Sequence, residues 1–363
     1  MQAEIAILGA GPAGSAAAVV LAAQHRVALI DRTAAPQPRI GEALIPAARP
    51  LLRDLGVLAV MEASGRHLPY LGNRSIWGGG CIEERDFLRD PHGPGWHLDR
   101  AAFERMLRRH AVERGAQVLA PARLGMIRPA RQGWRLSLGQ GETLEARFVI
   151  DAGGRRAPVA RRLGARPGKG PDLVSTWWAG SVRRETPETA GFSMIEGLPE
   201  GWAYTAPLPG RRRLLAWHHL PEPGTSAPLP ARIARIGSAE GIAAVLARTG
   251  FTPDGAARTT AAHAQWLSAP CGPGWLAVGD AALCPDPMAS RGLFNALYTG
   301  LTGALTASAW LSGDIRALDD YSSDLARIRE TYRQHAARVY AAEQRWPEAP
   351  FWARHSLAEA ARP

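Results

Sequence analysis

The chain has 363 residues, a formal net charge of +10 and 46% hydrophobic residues, enough for one large domain or two intimate ones around a real core. Its three cysteines, Cys81, Cys271 and Cys284, fit no metal spacing and no disulfide framework, so a reducing, cytoplasmic setting without a bound metal is expected. The positive charge is carried by dispersed arginine, with Lys169 the only lysine. No nucleic-acid module accompanies it, and the charge suits an acidic partner or a nucleotide phosphate better.

In chain order, the stretch "IAILGAGPAG" comes first. Residues 4 to 8 read as a buried parallel strand, and Gly9, Gly11 and Gly14 follow at G-x-G-x-x-G spacing before the apolar helix-forming run Ser15 to Ala23. The first glycine makes a tight turn, the second lets the backbone approach a pyrophosphate, and the third lets helix and strand touch. A second strand, "RVALID", ends in Asp31, 20 residues after Gly11, where a carboxylate can accept from ribose hydroxyls. This opening β-α-β unit leaves no room for a basic leader followed by a cleavable apolar run, so no signal peptide is expected.

A Pro/Gly loop, "PQPRIGEALIP", and a helical stretch to Leu55 come next. Asp99 has the place of an N-cap for a helix from Arg100 to Gly115. "GWRLSLG" and "TLEARFVIDAGG" read as paired strands, the latter returning to the nucleotide sheet at Asp151. Within residues 173–220 three strand-like runs, "LVSTWWAGSV", "GWAYTAP" and "RRRLLAWHHL", predict a separate antiparallel sheet, the place for a substrate platform. A last core strand, "GWLAVGD", ends in Asp280. A glycine-led helix starts near Gly292; its apolar run to Leu311 is broken by Asn295, Thr299 and Thr302 and reads as a buried helix, with no membrane span. A long amphipathic helix is predicted from Asp319 to Glu343. The expected fold is α/β: a discontinuous Rossmann-like domain (1–70, 95–165, 265–315), an inserted antiparallel-sheet substrate domain (71–94, 166–264) and a C-terminal helical segment (316–363).

The late stretch "WLAVGDAALCPDPMASRGLFNAL" separates the candidate cofactors. Asp280 at a strand end can reach ribityl hydroxyls, and the Pro287–Gly292 loop with its helix N-terminus can face the flavin edge that becomes anionic on reduction. An NAD dehydrogenase has no need of it. With these residues the chain resembles the flavoprotein monooxygenase superfamily of the para-hydroxybenzoate-hydroxylase fold. The resemblance carries over through the fingerprint glycines, Arg39 in "RIGEALIP", Arg100 in "LDRAAFERML", "IDAGGRRAPVARRLG", and Gly279–Asp280. It implies FAD, with Gly9, Gly11, Pro12, Ala13, Gly14, Asp31, Arg32, Arg39, Gly41, Arg100, Gly279, Asp280, Pro287 and Gly292 as contacts, O2 as oxidant, and NAD(P)H or a reduced-flavin source as reductant.

"GEALIP" and "PMASRG" resemble the tryptophan-halogenase-like branch. The halogenases of that branch carry a lysine, which "LGNRSIW" lacks, and a glutamate in the late loop, where Ala289 stands here. "PMASRG" and the tail "YAAEQRWPEAPFWARH" also resemble the flavoproteins that mature tryptophylquinone enzymes, acting with lysine ε-oxidase, glycine oxidase and quinohemoprotein amine dehydrogenase. That resemblance implies hydroxylation, through a flavin C4a-hydroperoxide, of an aromatic ring, specifically a tryptophan side chain in a partner protein. Candidates for the aromatic wall are Trp178, Trp202, Tyr204, Trp217 and His219, with Trp202, Tyr204 and His219 as the catalytic candidates; His218 and His219 cannot both face one pocket. The competing readings are a halogenase, a flavin-dependent reductase of geranylgeranyl-reductase type, and a non-catalytic flavin-binding scaffold.

Overall fold

The computed structural model describes residues 1–37, 39–221, 236 and 239–360. Residues 222–235, 237 and 238 of the expected substrate segment, and 361–363 of the expected C-terminal segment, lie outside the described residues.

The first strand, Gln2–Leu8, is central because it is apolar on both faces. It pairs in parallel with Thr143–Asp151 on one side and Val27–Ile30 on the other. Gln117–Leu119 extends the sheet beyond Val27–Ile30, and Trp275–Ala277 extends it beyond Thr143–Asp151, both in parallel. Leu124–Ala130 and Gly133–Leu138 form an antiparallel flap on the same sheet. Helix Pro12–Leu21 packs on one face, and three glycines let its neighbours approach it closely, two of them at its backbone and one at a side chain. A Cβ at Gly14 would fall 1.8 Å from the Gly9 carbonyl oxygen. One at Gly300, on helix Gly292–Leu311, would fall 2.4 Å from the Ala13 carbonyl oxygen, and one at Gly279 would fall 2.8 Å from the Ala13 Cβ. Helix Arg100–Glu113 begins at Asp99, whose Oδ1 accepts from the Ala102 amide at 2.9 Å.

The second large sheet runs in the order Thr252–Pro253, Val174–Ser181, Arg212–His219, Gly201–Leu208, Phe192–Leu198, Gly72–Ile76, Ile82–Asp86, with Arg258–Ala261 also on Val174–Ser181. All of these strands fall within 71–94 and 166–264. One pair departs from an antiparallel sheet: Phe192–Leu198 runs parallel to Gly72–Ile76. Phe192–Leu198 is also a fourth strand where three were expected within 173–220. Its sequence, FSMIEGL, does not alternate, because Ser193 and Glu196 are buried in it. Helix Glu240–Thr249 covers one face of this sheet, over Trp178, Leu215 and Trp217.

Helices Ala317–Ala342 and Pro350–Ala360 close the other end. Trp77 Nε1 donates to the Val339 carbonyl and Trp352 Nε1 to the Leu198 carbonyl, both at 2.8 Å. Glu343 is buried and holds Arg345 and the Gly78 amide. Among the described residues no helix is long and apolar enough to cross a membrane.

The contact at Gly14 sets the helix–sheet spacing, so Gly14→Ala is expected to lower the melting temperature by more than 5 °C or to abolish folding, since an overpacked core site costs roughly 1–3 kcal/mol or more. Gly65→Ala, at an exposed site with nothing within 4 Å of the added Cβ but with φ +60°, is the comparison for mere backbone strain. Thermal denaturation of the two variants checks this.

Candidate active site

A cavity of about 820 Å³ runs from the fingerprint loop to the second sheet. Its first wall is built by the turn after Gln2–Leu8. Gly9 has φ +110°, and a Cβ there would lie 2.2 Å from the Ala152 carbonyl oxygen, so only glycine fits. Gly11 differs: a Cβ there meets no protein atom within 4 Å, because the position opens into the cavity. Gly9, Gly11, Pro12 and Ala13 line the cavity, whereas Gly14 and Gly279 do not; those two are consumed by packing around the first helix.

Asp31 lies at the rim. Its Oδ2 accepts from the Ala10 amide at 2.8 Å and sits 3.4 Å from Arg108 Nη2, while Oδ1 accepts from the Thr33 amide and hydroxyl, each at 2.8 Å. Arg32 stands beside it in the wall. Arg39 and Arg100 converge on one buried carboxylate. Each donates to Glu104 at 2.7 Å, and Arg100 Nη1 also donates to the Gly41 carbonyl. Glu104 therefore ties the loop Arg39–Ala43 to helix Arg100–Glu113, an interaction that sequence reading did not find. Its signal was available, an (i, i+4) pair of Arg100 and Glu104 on a predicted helix.

Opposite lies the late loop. Asp280 lines the cavity near Arg155, and burial raises its carboxyl above the usual range, opposed by Arg155. Arg155 itself is fixed, donating to Cys284 Sγ at 2.9 Å and to the His263 carbonyl at 2.7 Å. Pro287 and Gly292 are both in the wall, and helix Gly292–Leu311 starts there with no side-chain cap, so its first amides face the cavity. Asp286, also in the wall, is buried; it accepts from the Met288 amide at 2.9 Å and the Tyr340 hydroxyl at 3.2 Å, and burial pushes its carboxyl up to about 6.

The far end is the face of the second sheet. Trp202 and Tyr204 share it, with Ile195 and Ser175 beside them. His219 does not. It turns to the opposite face, hydrogen-bonded with Thr176 Oγ1 at 3.0 Å and stacked on Trp217 at 3.9 Å, and Trp178 and Trp217 pack beneath helix Glu240–Thr249. The histidine on the cavity is His218, which stacks on its cross-strand neighbour Trp202 with ring centroids 3.7 Å apart. The alternation fixed that one histidine of the pair faces the cavity, but not which. Burial drives His218 down to about 3, so it is a neutral imidazole and not a proton carrier near neutrality. A buried pair joins the two ends: the Tyr204 hydroxyl donates to Glu42 Oε1 at 2.6 Å, and Glu42 is 3% exposed.

These groups fit a flavin dinucleotide. There is open room at Gly11, a helix N-terminus and arginines for anionic groups, and carboxylates at both ends of the cavity for hydroxyls.

Asp286 gives a pH test of the loop. Its folded-state value of about 6 lies above the usual 3.8, so its protonated form favours the fold. That contribution is complete below about pH 4 and is lost as pH rises through about 6. Asp286→Asn, which cannot ionise, is therefore expected to gain stability relative to the parent between pH 4.5 and 7.5, by up to about 2 kcal/mol. Denaturant titrations at the two pH values, at equal flavin content, check it; a gap that does not widen would show that burial does not raise the Asp286 carboxyl.

Comparison with known proteins fits this geometry. Residues 2–210 match the FAD binding domain family. LodB of Marinomonas mediterranea, a FAD-dependent oxidoreductase by name, is 29% identical over 96% of this chain and 95% of its own. Tryptophan 2-halogenase of Chondromyces crocatus is 26% identical over 91% of this chain, which spans 64% of that relative's length. Among solved structures, the myxobacterial chondrochloren halogenase CndH superposes with a TM-score of 0.89 at 24% identity, covering 98% of this chain and 86% of that one. The peptidyl tryptophan dihydroxylase QhpG, essential for tryptophylquinone cofactor biogenesis, superposes with a TM-score of 0.74 at 24% identity, covering 98% and 79%. Those superpositions establish the mixed α/β fold with its C-terminal helices. The chain belongs to the FAD binding domain family and is a flavin-dependent oxidoreductase with FAD as its cofactor.

Proposed function

We propose that the protein is a monooxygenase that hydroxylates an aromatic ring, and that the ring is a tryptophan side chain of a partner protein, modified during quinone-cofactor biogenesis. The observation that carries this reading is the combination of an aromatic wall with the lack of any amine on the cavity. Trp202, Tyr204 and Ile195 line the far end of the cavity, while the sole lysine of the chain, Lys169, is paired with Asp172 at 2.7 Å, 61% exposed and outside the cavity wall. Arg74, in the stretch where halogenases of this branch carry their lysine, is paired with Glu84 and also lies outside the wall. LodB, similar along nearly its whole length, and QhpG, which acts on peptidyl tryptophan, support the same reading. The second reading, halogenation, is favoured by the halogenases among the relatives.

Bound FAD supplies oxygen transfer to an electron-rich ring. The balance is one ring C–H replaced by C–OH, the second oxygen of O2 released as water, and two electrons drawn from NAD(P)H or reduced flavin. The residues of the chain hold and shield the reactants. Gly9, Gly11, Pro12 and Ala13 with the first helix would face the pyrophosphate; Asp31 and Arg32 would take the adenosine end. Arg39, Gly41 and Arg100 would hold the diphosphate, and Asp280 would take ribityl hydroxyls. Pro287 and Gly292 would present the helix N-terminus to the flavin, with Gly14 and Gly279 acting through packing. Arg32, Arg123, Arg156, Arg162 and Arg291 are exposed at the cavity margin and form a basic rim suited to an acidic partner.

Two variants test the cofactor placement. Gly11→Val is expected to fold, since its side chain meets no protein atom, yet to lose FAD; a purified variant with full flavin absorbance would refute it. Asp280→Ala removes charge-assisted hydrogen bonds worth roughly 1.5–3 kcal/mol, so its FAD dissociation constant is expected to rise about ten- to a hundred-fold. The reaction is tested by incubating enzyme, reductant, O2 and candidate partner proteins from the genomic neighbourhood, then recording intact mass. A gain of one or two oxygen atoms on a partner, at a rate that falls with salt, is expected. Hydroxylation of small aromatics alone would remove the protein substrate, and incorporation of halide would replace hydroxylation altogether.

A further inference from the structure

Four of the twelve tryptophans of the chain stand in one line that begins in the cavity wall and ends at a ring that reaches solvent. Trp202 is in the wall. Its ring centroid lies 6.5 Å from that of Trp77. Trp77 lies 5.2 Å from Trp352, and Trp352 lies 6.5 Å from Trp346. These are the separations of directly packed aromatic pairs. Trp202 and Trp352 are buried, whereas Trp77 and Trp346 are half-buried. The four come from separate parts of the chain: strand Gly201–Leu208, the turn after strand Gly72–Ile76, and the segment that leads into helix Pro350–Ala360.

The polar setting changes along the line. Trp202 Nε1 is enclosed and has no acceptor in hydrogen-bond geometry among the described residues, a looser contact with the Tyr340 hydroxyl aside. The imidazole of His218, stacked on Trp202, is kept neutral by burial and brings no counter-charge. Further out the setting is different. Trp77 Nε1 donates to the Val339 carbonyl and Trp352 Nε1 to the Leu198 carbonyl, each at 2.8 Å. Buried Glu343 accepts from the amide of Gly78, next in the chain to Trp77, at 3.0 Å. The same carboxylate holds Arg345, so the guanidinium that lies 4.3 Å over the Trp346 ring comes with its counter-charge. A positive charge on an indole is costly where the N–H is unbonded and water is excluded. It is favoured by a carbonyl on the N–H and by a nearby carboxylate. Trp202 is thus the poorest of the four places for a hole, and the gradient points outward.

We propose that Trp202, Trp77, Trp352 and Trp346 form a relay that carries single oxidising equivalents from the flavin cavity to the protein surface. The inference rests on the placement of FAD given above, with the ring system toward Trp202, and does not depend on hydroxylation. A one-electron oxidant in the cavity, of which light-excited oxidised flavin is the simplest, takes an electron from Trp202. Trp77 refills Trp202, Trp352 refills Trp77, and Trp346 refills Trp352. A soluble donor of the ascorbate class then reduces Trp346. One electron leaves that donor, one reaches the oxidant, and no bond of the chain forms or breaks. Flavin enzymes that meet O2 run oxidising chemistry beside their own side chains. The relay moves an unspent oxidising equivalent from the cavity wall to a ring that solutes can quench.

The test uses light as the trigger, on FAD-loaded protein under argon. A blue pulse excites the flavin, and time-resolved absorption follows the tryptophan radical; steady illumination with ascorbate follows bleaching of the flavin band. The parent is expected to give a long-lived tryptophan radical and to bleach steadily. Trp77→Phe keeps an apolar ring in place but one far harder to oxidise. At equal FAD content it is expected to lose the long-lived radical and most of the bleaching, because the hole stays on Trp202 and recombines. Trp346→Phe is expected to keep the radical and to slow its removal by ascorbate. Trp134→Phe, half-buried on the flap of the first sheet and outside the line, is expected to change neither. No long-lived radical in the parent, its survival in Trp77→Phe, or an equal loss in Trp134→Phe would overturn the proposal. If Trp77→Phe does not fold, a spin trap added to the illuminated parent decides. Peptide mapping is then expected to find adducts at Trp77 and Trp346, and adducts confined to Trp202 would overturn the relay. Oxygen gain on a partner protein is read in the dark, so either reading can fail while the other stands.

Discussion

The architecture of the site depends on backbone contact around the first helix. Gly14 lets that helix sit on the Gly9 turn, Gly300 lets the late helix press against Ala13, and Gly279 lets the late turn do the same. Each contact is closer than any side chain with a Cβ permits. Their joint effect is to bring two stretches almost 270 residues apart in the chain, the fingerprint and the loop after Asp280, to opposite sides of one cavity. Without that compression the two helix N-termini would not face one ligand. The dinucleotide chemistry is therefore a consequence of packing, and the glycines that line nothing matter as much as those that line the cavity.

Charge is handled by a second rule: buried ionic groups are arranged to position, not to stabilise. Glu104 is almost fully enclosed and satisfied by two guanidinium groups, so the loop over the cavity is anchored at both Arg39 and Arg100. Replacing such a triad by apolar groups is often neutral for stability, while removing one member leaves a charge stranded. Asp151 illustrates the same economy elsewhere. It is buried at the end of its strand and accepts from the Gly153, Val159 and Ala160 amides at 2.7–2.9 Å, so it caps a helix instead of meeting the ligand. Carboxylates that look alike in sequence thus divide into clamps, caps and one, Glu42, that lines the cavity and accepts from Tyr204.

What the sequence made legible follows from range. The strand–glycine–helix–strand–acid order, the Asp99 cap and the glycine-led helix are local patterns, and local sterics decide them. The face of a strand is different. A period of two tells which residues share a side, so Trp202 with Tyr204 and Trp217 with His219 are readable pairs. Which side meets the cavity depends on what the other sheets and helices cover, and helix Glu240–Thr249 covers the Trp217 side. That is why His218, not His219, lines the cavity. The strand Phe192–Leu198 was unreadable for a related reason: its Glu196 is buried by accepting the Ile242 amide at 2.9 Å, a tertiary bond that no local pattern announces. Glu42 was hidden by range, since its partner Tyr204 lies 162 positions away.

The C-terminal helices bear on the same end of the cavity: Tyr340, Phe351 and Trp352 form one buried cluster with Trp202, and Trp352 is pinned to the Leu198 carbonyl. Tyr340 also donates to Asp286, which ties helix Ala317–Ala342 to the loop before Gly292. Among the described residues Arg156 and Arg291 are exposed at the cavity margin. On the proposed reaction, an acidic partner protein would be drawn to that margin by charge alone, and selection among its aromatic side chains would fall to the residues at the far end of the cavity.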